Sequence, residues 1–149
     1  REIGLPVAVI SNAKQRVLEA TLSAVGIKPE MVDLIAGIDT VKSNNYEPKP
    51  AGGSYLYGVH KLSEILGREI HPEHCIGMED SNSGYESLIN AGIGSRIFCQ
   101  NADGKVPEDA SHVIRPHEDM SRIHTRLLNG AATISMMTKS VFGPPERHI

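Results

Sequence analysis

Short apolar runs alternate along this chain with longer amphipathic stretches. Residues 7–10 (Val-Ala-Val-Ile) form a continuous apolar run rich in β-branched side chains, which predicts a strand covered on both faces. Asn12 follows as a helix N-cap, with Gln15 at the capping-box position. Residues 13–25 carry Val17, Leu18, Leu22 and Val25 on one helical face, and Gly26 ends that helix. Residues 31–36 predict a second strand, running into Gly37-Ile38-Asp39-Thr40. Residues 42–48 are polar and predict a loop. Leu56, Val59, Leu62 and Leu66 predict the inner face of a helix over 51–66, closed by Gly67. Residues 74–78 predict a third strand, 83–91 a short helix ended by Gly92, 95–99 a fourth strand and 112–114 a fifth. A last helix is predicted over 117–128. From Asn129 the periodicity fades, and Met136, Met137, Val141 and Phe142 lie in an apolar stretch stopped by Gly143-Pro144-Pro145.

Strands alternating with helices at this spacing predict an α/β fold, a Rossmann-like parallel sheet with helices on both faces. The core is expected over residues 1–128, followed by a tail over 129–149 that is ordered only if something holds it. Parallel sheets of this kind place ligands beyond the carboxyl ends of their strands. Ser11, Asp39, Lys49 and the Glu79-Asp80 pair all fall at or after predicted strand carboxyl ends.

Composition narrows the function classes. The 149 residues suffice for one domain with its own core, and the hydrophobic content of 40% is ordinary for a soluble chain. A net charge of -3 gives no basic footprint for nucleic acid. No apolar run approaches the ~18 residues of a membrane helix. Cys75 and Cys99 are far apart, form no C-x-x-C, and read as free thiols in a reducing intracellular compartment such as the cytoplasm.

Three short segments carry the candidate chemistry. Ser11-Asn12 leads into a helix N-terminus, where unpaired N–H groups attract anions; the Ser11 hydroxyl either donates to a phosphoryl oxygen or simply caps the helix. Lys49, between Pro48 and Pro50, opposes the dipole of the helix it opens. It is placed either to neutralise a carboxylate and a phosphate together or to sit solvated at the surface. Glu79 and Asp80 are adjacent carboxylates at the end of an apolar strand, an arrangement that is costly without a cation nearby. They suit Mg²⁺ ligation, or they stabilise the N-terminus of the next helix. Asp39 lies in a common turn pattern and is the weaker candidate.

Taken in order, these segments resemble the haloacid dehalogenase-like hydrolase superfamily, in its β-phosphoglucomutase and phosphoglycolate phosphatase branch. Val-Ala-Val-Ile-Ser11-Asn12 is similar to the second motif, Gly37-Ile38-Asp39 with Lys49-Pro50-Ala51 to the third, and Cys75-Ile76-Gly77-Met78-Glu79-Asp80-Ser81-Asn82-Ser83-Gly84 to the fourth. The resemblance covers roughly residues 3–128. It implies that Ser11 and Lys49 are catalytic, that Ser11, Asn12 and Lys49 bind a phosphorylated small molecule, and that Glu79 and Asp80 hold Mg²⁺. It implies a phosphatase or phosphomutase working through an aspartyl-phosphate.

The chain departs from the family pattern in three places. The first motif, D-x-D-x-[TV], which carries the nucleophilic Asp, occurs nowhere, and neither does the cap domain that follows it. Gly52-Gly53 replaces the usual Pro-Asp after Lys-Pro-Ala, which is expected to loosen the start of that helix. The chain is therefore expected to be the C-terminal part of a larger protein, with its sheet completed by an upstream segment or a partner chain. The alternative is a noncatalytic, haloacid dehalogenase-like scaffold subunit. In this family the first-motif strand lies between the strands of the second and fourth motifs, so those two are expected to lack their shared neighbour here.

Overall fold

A computed structural model describes residues 4–100, 105–110 and 112–115. The elements run β1 (Ala8–Ile10), α1 (Gln15–Ala24), β2 (Leu34–Ala36), α2 (Ile38–Ser43), α3 (Gly53–Leu66), β3 (Ile76–Glu79), α4 (Asn82–Asn90), β4 (Ser95–Cys99) and β5 (His112–Ile114). Short 3₁₀ turns at Pro29–Met31 and Pro72–His74 precede β2 and β3. The expected helix over 117–128 and the tail from 129 lie outside the described residues.

Every strand pair is parallel, but the strands form two sheets. β1 pairs with β2, and β3-β4-β5 form the second sheet. Ser11 N–H donates to Ala36 O at 3.0 Å, so the carbonyl of Ile10 points the opposite way, off the free edge of β1. Ser95 N–H donates to Cys75 O at 3.1 Å, which likewise turns the backbone groups of Ile76 and Met78 toward the free edge of β3. Among the described residues no strand pairs with either edge. β1 is only half-buried and Met78 is 42% exposed, although both runs are patterned for burial. This is the break expected between the strands of the second and fourth motifs.

The core forms around Tyr85, Leu88, Ala91, Ile93 and Phe98, with a smaller cluster of Ala36, Val41 and Tyr57. Helix faces account for most of the differences from expectation. In α1, Leu18 and Leu22 are buried as expected, but Val17 and Val25 are exposed. In α3 the inner face is Ser54, Tyr57, Gly58 and Leu62, whereas Leu56 and Leu66 are exposed. Small residues line that face because α3 crosses β1 closely; a Cβ on Gly58 would run into the Ile10 side chain. α2 occupies the start of the segment expected to be loop, since Val41 is fully buried. Gly67 ends α3 in the left-handed region, at φ 63°.

Candidate active site

The strand ends bring Ser11, Lys49, Glu79 and Asp80 to the carboxyl edge. Ser11 follows β1, Glu79 is the last residue of β3, and Asp80 comes next. Lys49 stands ahead of α3, and its peptide bond to Pro50 is cis. Its ammonium group spans the break between the sheets. Nζ donates to Ile10 O at 3.0 Å on the β1 side and to Glu79 Oε1 on the β3 side. It also donates to Tyr55 Oη at 2.9 Å and lies 4.7 Å from the centre of that ring. All three ammonium hydrogens are thereby committed. The Lys49 and Glu79 side chains are each 9% exposed.

Tyr55 is a site residue that the sequence did not single out. A tyrosine in the first turn of a helix reads as a core aromatic, and no spacing marks it otherwise. Its hydroxyl donates to Glu79 Oε1 while accepting from Lys49. Burial, then the Glu79 charge and hydrogen bond, push its phenol far above the usual range, so Tyr55 stays a neutral donor. Glu79 Oε2 lies over Gly84, where a Cβ would collide with the carboxylate. Glycine at that position is therefore what lets Glu79 fold back toward Lys49.

Asp80 is exposed, so its carboxylate stands open to solvent at the strand end. Ser81 caps α4, accepting from Gly84 N–H at 3.1 Å. No group of three or more His, Cys, Asp or Glu gathers among the described residues. Of the adjacent pair, Asp80 is the carboxylate open to an incoming cation, while Glu79 Oε1 is committed to Lys49 and Tyr55; Mg²⁺ commonly takes one or two carboxylates and keeps waters and phosphate oxygens for its other positions. Cys75 and Cys99 are free half-buried thiols, both pushed up chiefly by burial.

Asn12 takes a different local role from that expected, and Ser11 bonds within its own loop. The Ser11 hydroxyl accepts from Ala13 N–H at 3.1 Å, tightening the loop before α1. Asn12 is not the N-cap. The cap position is Lys14, and Asn12 Nδ2 instead donates to Lys49 O at 3.2 Å. The N-terminal N–H of α1 is served by Asp39, whose Oδ1 accepts from Gln15 N–H at 2.8 Å. Gln15 Oε1 in turn accepts from Gly37 N–H at 2.6 Å and Thr40 Oγ1 at 2.9 Å.

That bond from Gln15 N–H is the largest cause holding the Asp39 carboxyl below its ordinary value of 3.8. A carboxyl with a lowered folded pKa stabilises the fold above its unfolded value, and that contribution is lost as pH falls through the folded value. Asp39→Ala is therefore expected to lower the melting temperature at pH 7 and to converge with wild type as pH falls below 3.8 and through the lowered folded value. Parallel thermal melts across that range check this. A difference that persists undiminished in acid would show that the charge is not what Asp39 contributes.

Comparison with solved structures places this geometry in a known fold. A candidate beta-phosphoglucomutase from Thermotoga maritima matches with a TM-score of 0.67 and 21% identity, over 83% of this chain and 54% of its own. CbbY from Rhodobacter sphaeroides, solved in complex with phosphate, matches with a TM-score of 0.62 and 24% identity, over 76% and 47%. A HAD family hydrolase from Deinococcus radiodurans R1, with bound phosphate and sodium, matches with a TM-score of 0.69 and 22% identity, over 88% and 55%. The chain thus carries, over most of its length, a partial haloacid dehalogenase-like hydrolase fold, and it spans about half the length of the structures it matches. No protein-family model matches it, and no curated protein matches it by sequence. Among the described residues no helix is long and apolar enough to cross a membrane.

Proposed function

We propose that this chain is the C-terminal part of a magnesium-dependent phosphatase or phosphomutase acting on a small phosphorylated metabolite. The observation that carries the reading is Lys49, an ammonium held between the ends of β1 and β3 beside Glu79. A buried ion pair is weak support for stability, since apolar residues of similar volume do as well or better. A noncatalytic scaffold has no use for one at the open end of a sheet.

In this reading the nucleophile is an Asp supplied by sequence outside the chain, on a strand seated between β1 and β3. Its carboxylate attacks phosphorus, the bond to the leaving oxygen breaks, and that oxygen takes a proton. Water then hydrolyses the aspartyl-phosphate, or a second metabolite hydroxyl accepts the phosphoryl group. Ser11, with Asn12 beside it, contributes a donor to a phosphoryl oxygen. Lys49 neutralises charge on the transferring group, and Tyr55 keeps Glu79 and Lys49 in register. Glu79 and Asp80 would hold Mg²⁺, which supplies charge neutralisation for the phosphoryl oxygens.

The test is magnesium-dependent turnover of phosphate monoesters by the full-length protein, with Asp80→Asn compared across a magnesium series. The amide keeps the shape of the side chain and removes its charge. We expect Asp80→Asn to bind magnesium more weakly and to lose most turnover. Turnover in Asp80→Asn with the wild-type dependence on magnesium would remove Asp80 from the site.

A further inference from the structure

Three successive carbonyls carry the loop of Lys49, and each receives a side-chain donor. Asn12 Nδ2 donates to Lys49 O at 3.2 Å, Asn90 Nδ2 to Pro50 O at 3.0 Å and Ser87 Oγ to Ala51 O at 2.6 Å. Ser87 and Asn90 stand one turn apart on the same face of α4. Ser87 is completely buried. The loop lies on the last turn of α4 so closely that a Cβ at Gly52 would stand 2.6 Å from the Ala91 nitrogen and the Asn90 carbonyl carbon. A Cβ at Gly53 would stand 2.6 Å from the backbone nitrogen of Glu47. The glycine pair therefore does not loosen this segment. It lets the loop lie flat against the helix, within reach of Ser87 and Asn90.

The same helix begins directly after Asp80, under the Ser81 cap. One end of α4 thus follows the Glu79-Asp80 pair, and the other end grips the backbone from which Lys49 projects. We propose that Ser87 and Asn90 are positioning residues for Lys49. A lysine stem is flexible, so an ammonium is held in place only if its backbone root is fixed. The two donors register that root against α4, and Nζ then reaches Ile10 O, Tyr55 and Glu79. Neither residue touches a reacting atom. The catalytic consequence rests on the phosphoryl-transfer reading, whereas the placement of Lys49 does not.

The experiment uses the full-length protein with Ser87→Ala and Asn90→Ala, singly and combined. Leu18→Ala in α1 serves as a destabilised variant remote from the loop. The first readout is the rate at which an N-hydroxysuccinimide ester acylates Lys49 below the melting temperature, followed by mass spectrometry. The second is kcat and KM for p-nitrophenyl phosphate. Acylation of Lys49 is expected to rise in Asn90→Ala and rise further in the double variant, but not in Leu18→Ala. The double variant is expected to lose about tenfold in kcat, as a small misplacement of a catalytic group does, with KM little changed. Wild-type acylation in the double variant overturns the positioning role whatever the activity. Faster acylation with unchanged kcat overturns its catalytic consequence. A wild-type protein without phosphatase activity overturns the phosphoryl-transfer reading, while acylation still decides the positioning role. Asn90 is exposed, so Asn90→Ala decides alone if Ser87→Ala fails to fold.

Discussion

Lys49→Met is expected to destabilise the protein by about 3–5 kcal/mol, the cost of leaving one member of a buried ion pair alone. The ammonium satisfies Glu79, the Tyr55 oxygen and the outward-facing carbonyl of Ile10 at once. Methionine matches the length of the stem and returns none of these bonds. Adding Glu79→Gln removes the orphaned charge, so the double variant is expected to regain most of the stability. It is not expected to regain turnover, which Lys49→Met alone lowers by about 10²–10³ if the ammonium faces the transferring phosphoryl group. Chemical denaturation of the four proteins of the cycle measures the coupling directly. Additive stability changes would mean that the two charges are solvated in solution and that the pairing at the strand ends is incidental.

Residues 1–149 expressed alone are expected to be insoluble or poorly folded, and to be rescued by a strand from upstream sequence or a partner chain. The sheet is broken between β1 and β3, and each presents an open edge among the described residues. Each buried backbone group left without a partner costs about 1–3 kcal/mol, against a total stability of only about 5–15 kcal/mol for a domain. The half-buried β1 and the exposed Met78 add apolar surface at the same break. Hydrogen exchange on the isolated chain, with and without the added segment, reads this out strand by strand. Cooperative unfolding of the isolated monomer with protected amides in both strands would show that the sheet closes without an added strand.

The strands and the placement of the candidate residues were legible for one reason: both rest on local pattern. β4 and β5 span the residues expected of them, and Ser11 and Glu79-Asp80 stood out as candidates because strand ends are where parallel sheets collect chemistry, whereas Lys49 stood out between two prolines at a helix start. What was not legible depends on partners distant in sequence. The start of α1, whose N–H groups lack acceptors, is served by the Asp39 carboxylate, 24 residues away, so a local search settled on Asn12. The buried face of α3 carries Ser54 and Gly58 beside Tyr57 and Leu62; hydrophobic periodicity finds Leu62 but cannot flag the two small residues, because closeness to β1 selects for size and not for greasiness. Val41 stands alone among polar neighbours, too short a signal to announce α2. Gly52 and Gly53 looked like flexibility when read singly, and only the backbone of Asn90, Ala91 and Glu47 explains them.

The contact of Tyr55 with both ammonium and carboxylate has an optical side. The chain has four tyrosines and no tryptophan, so its near-ultraviolet signal belongs to phenols. Tyr55 keeps its proton in the fold well beyond the ordinary phenol value of 10.0 and gives it up there once unfolded. The unfolded state then binds fewer protons than the native one, so stability falls as pH rises past about 10. A Tyr55 phenolate is therefore expected only once the Lys49–Glu79 contact is lost, and comparison with Tyr55→Phe separates its alkaline absorbance from that of Tyr46, Tyr57 and Tyr85.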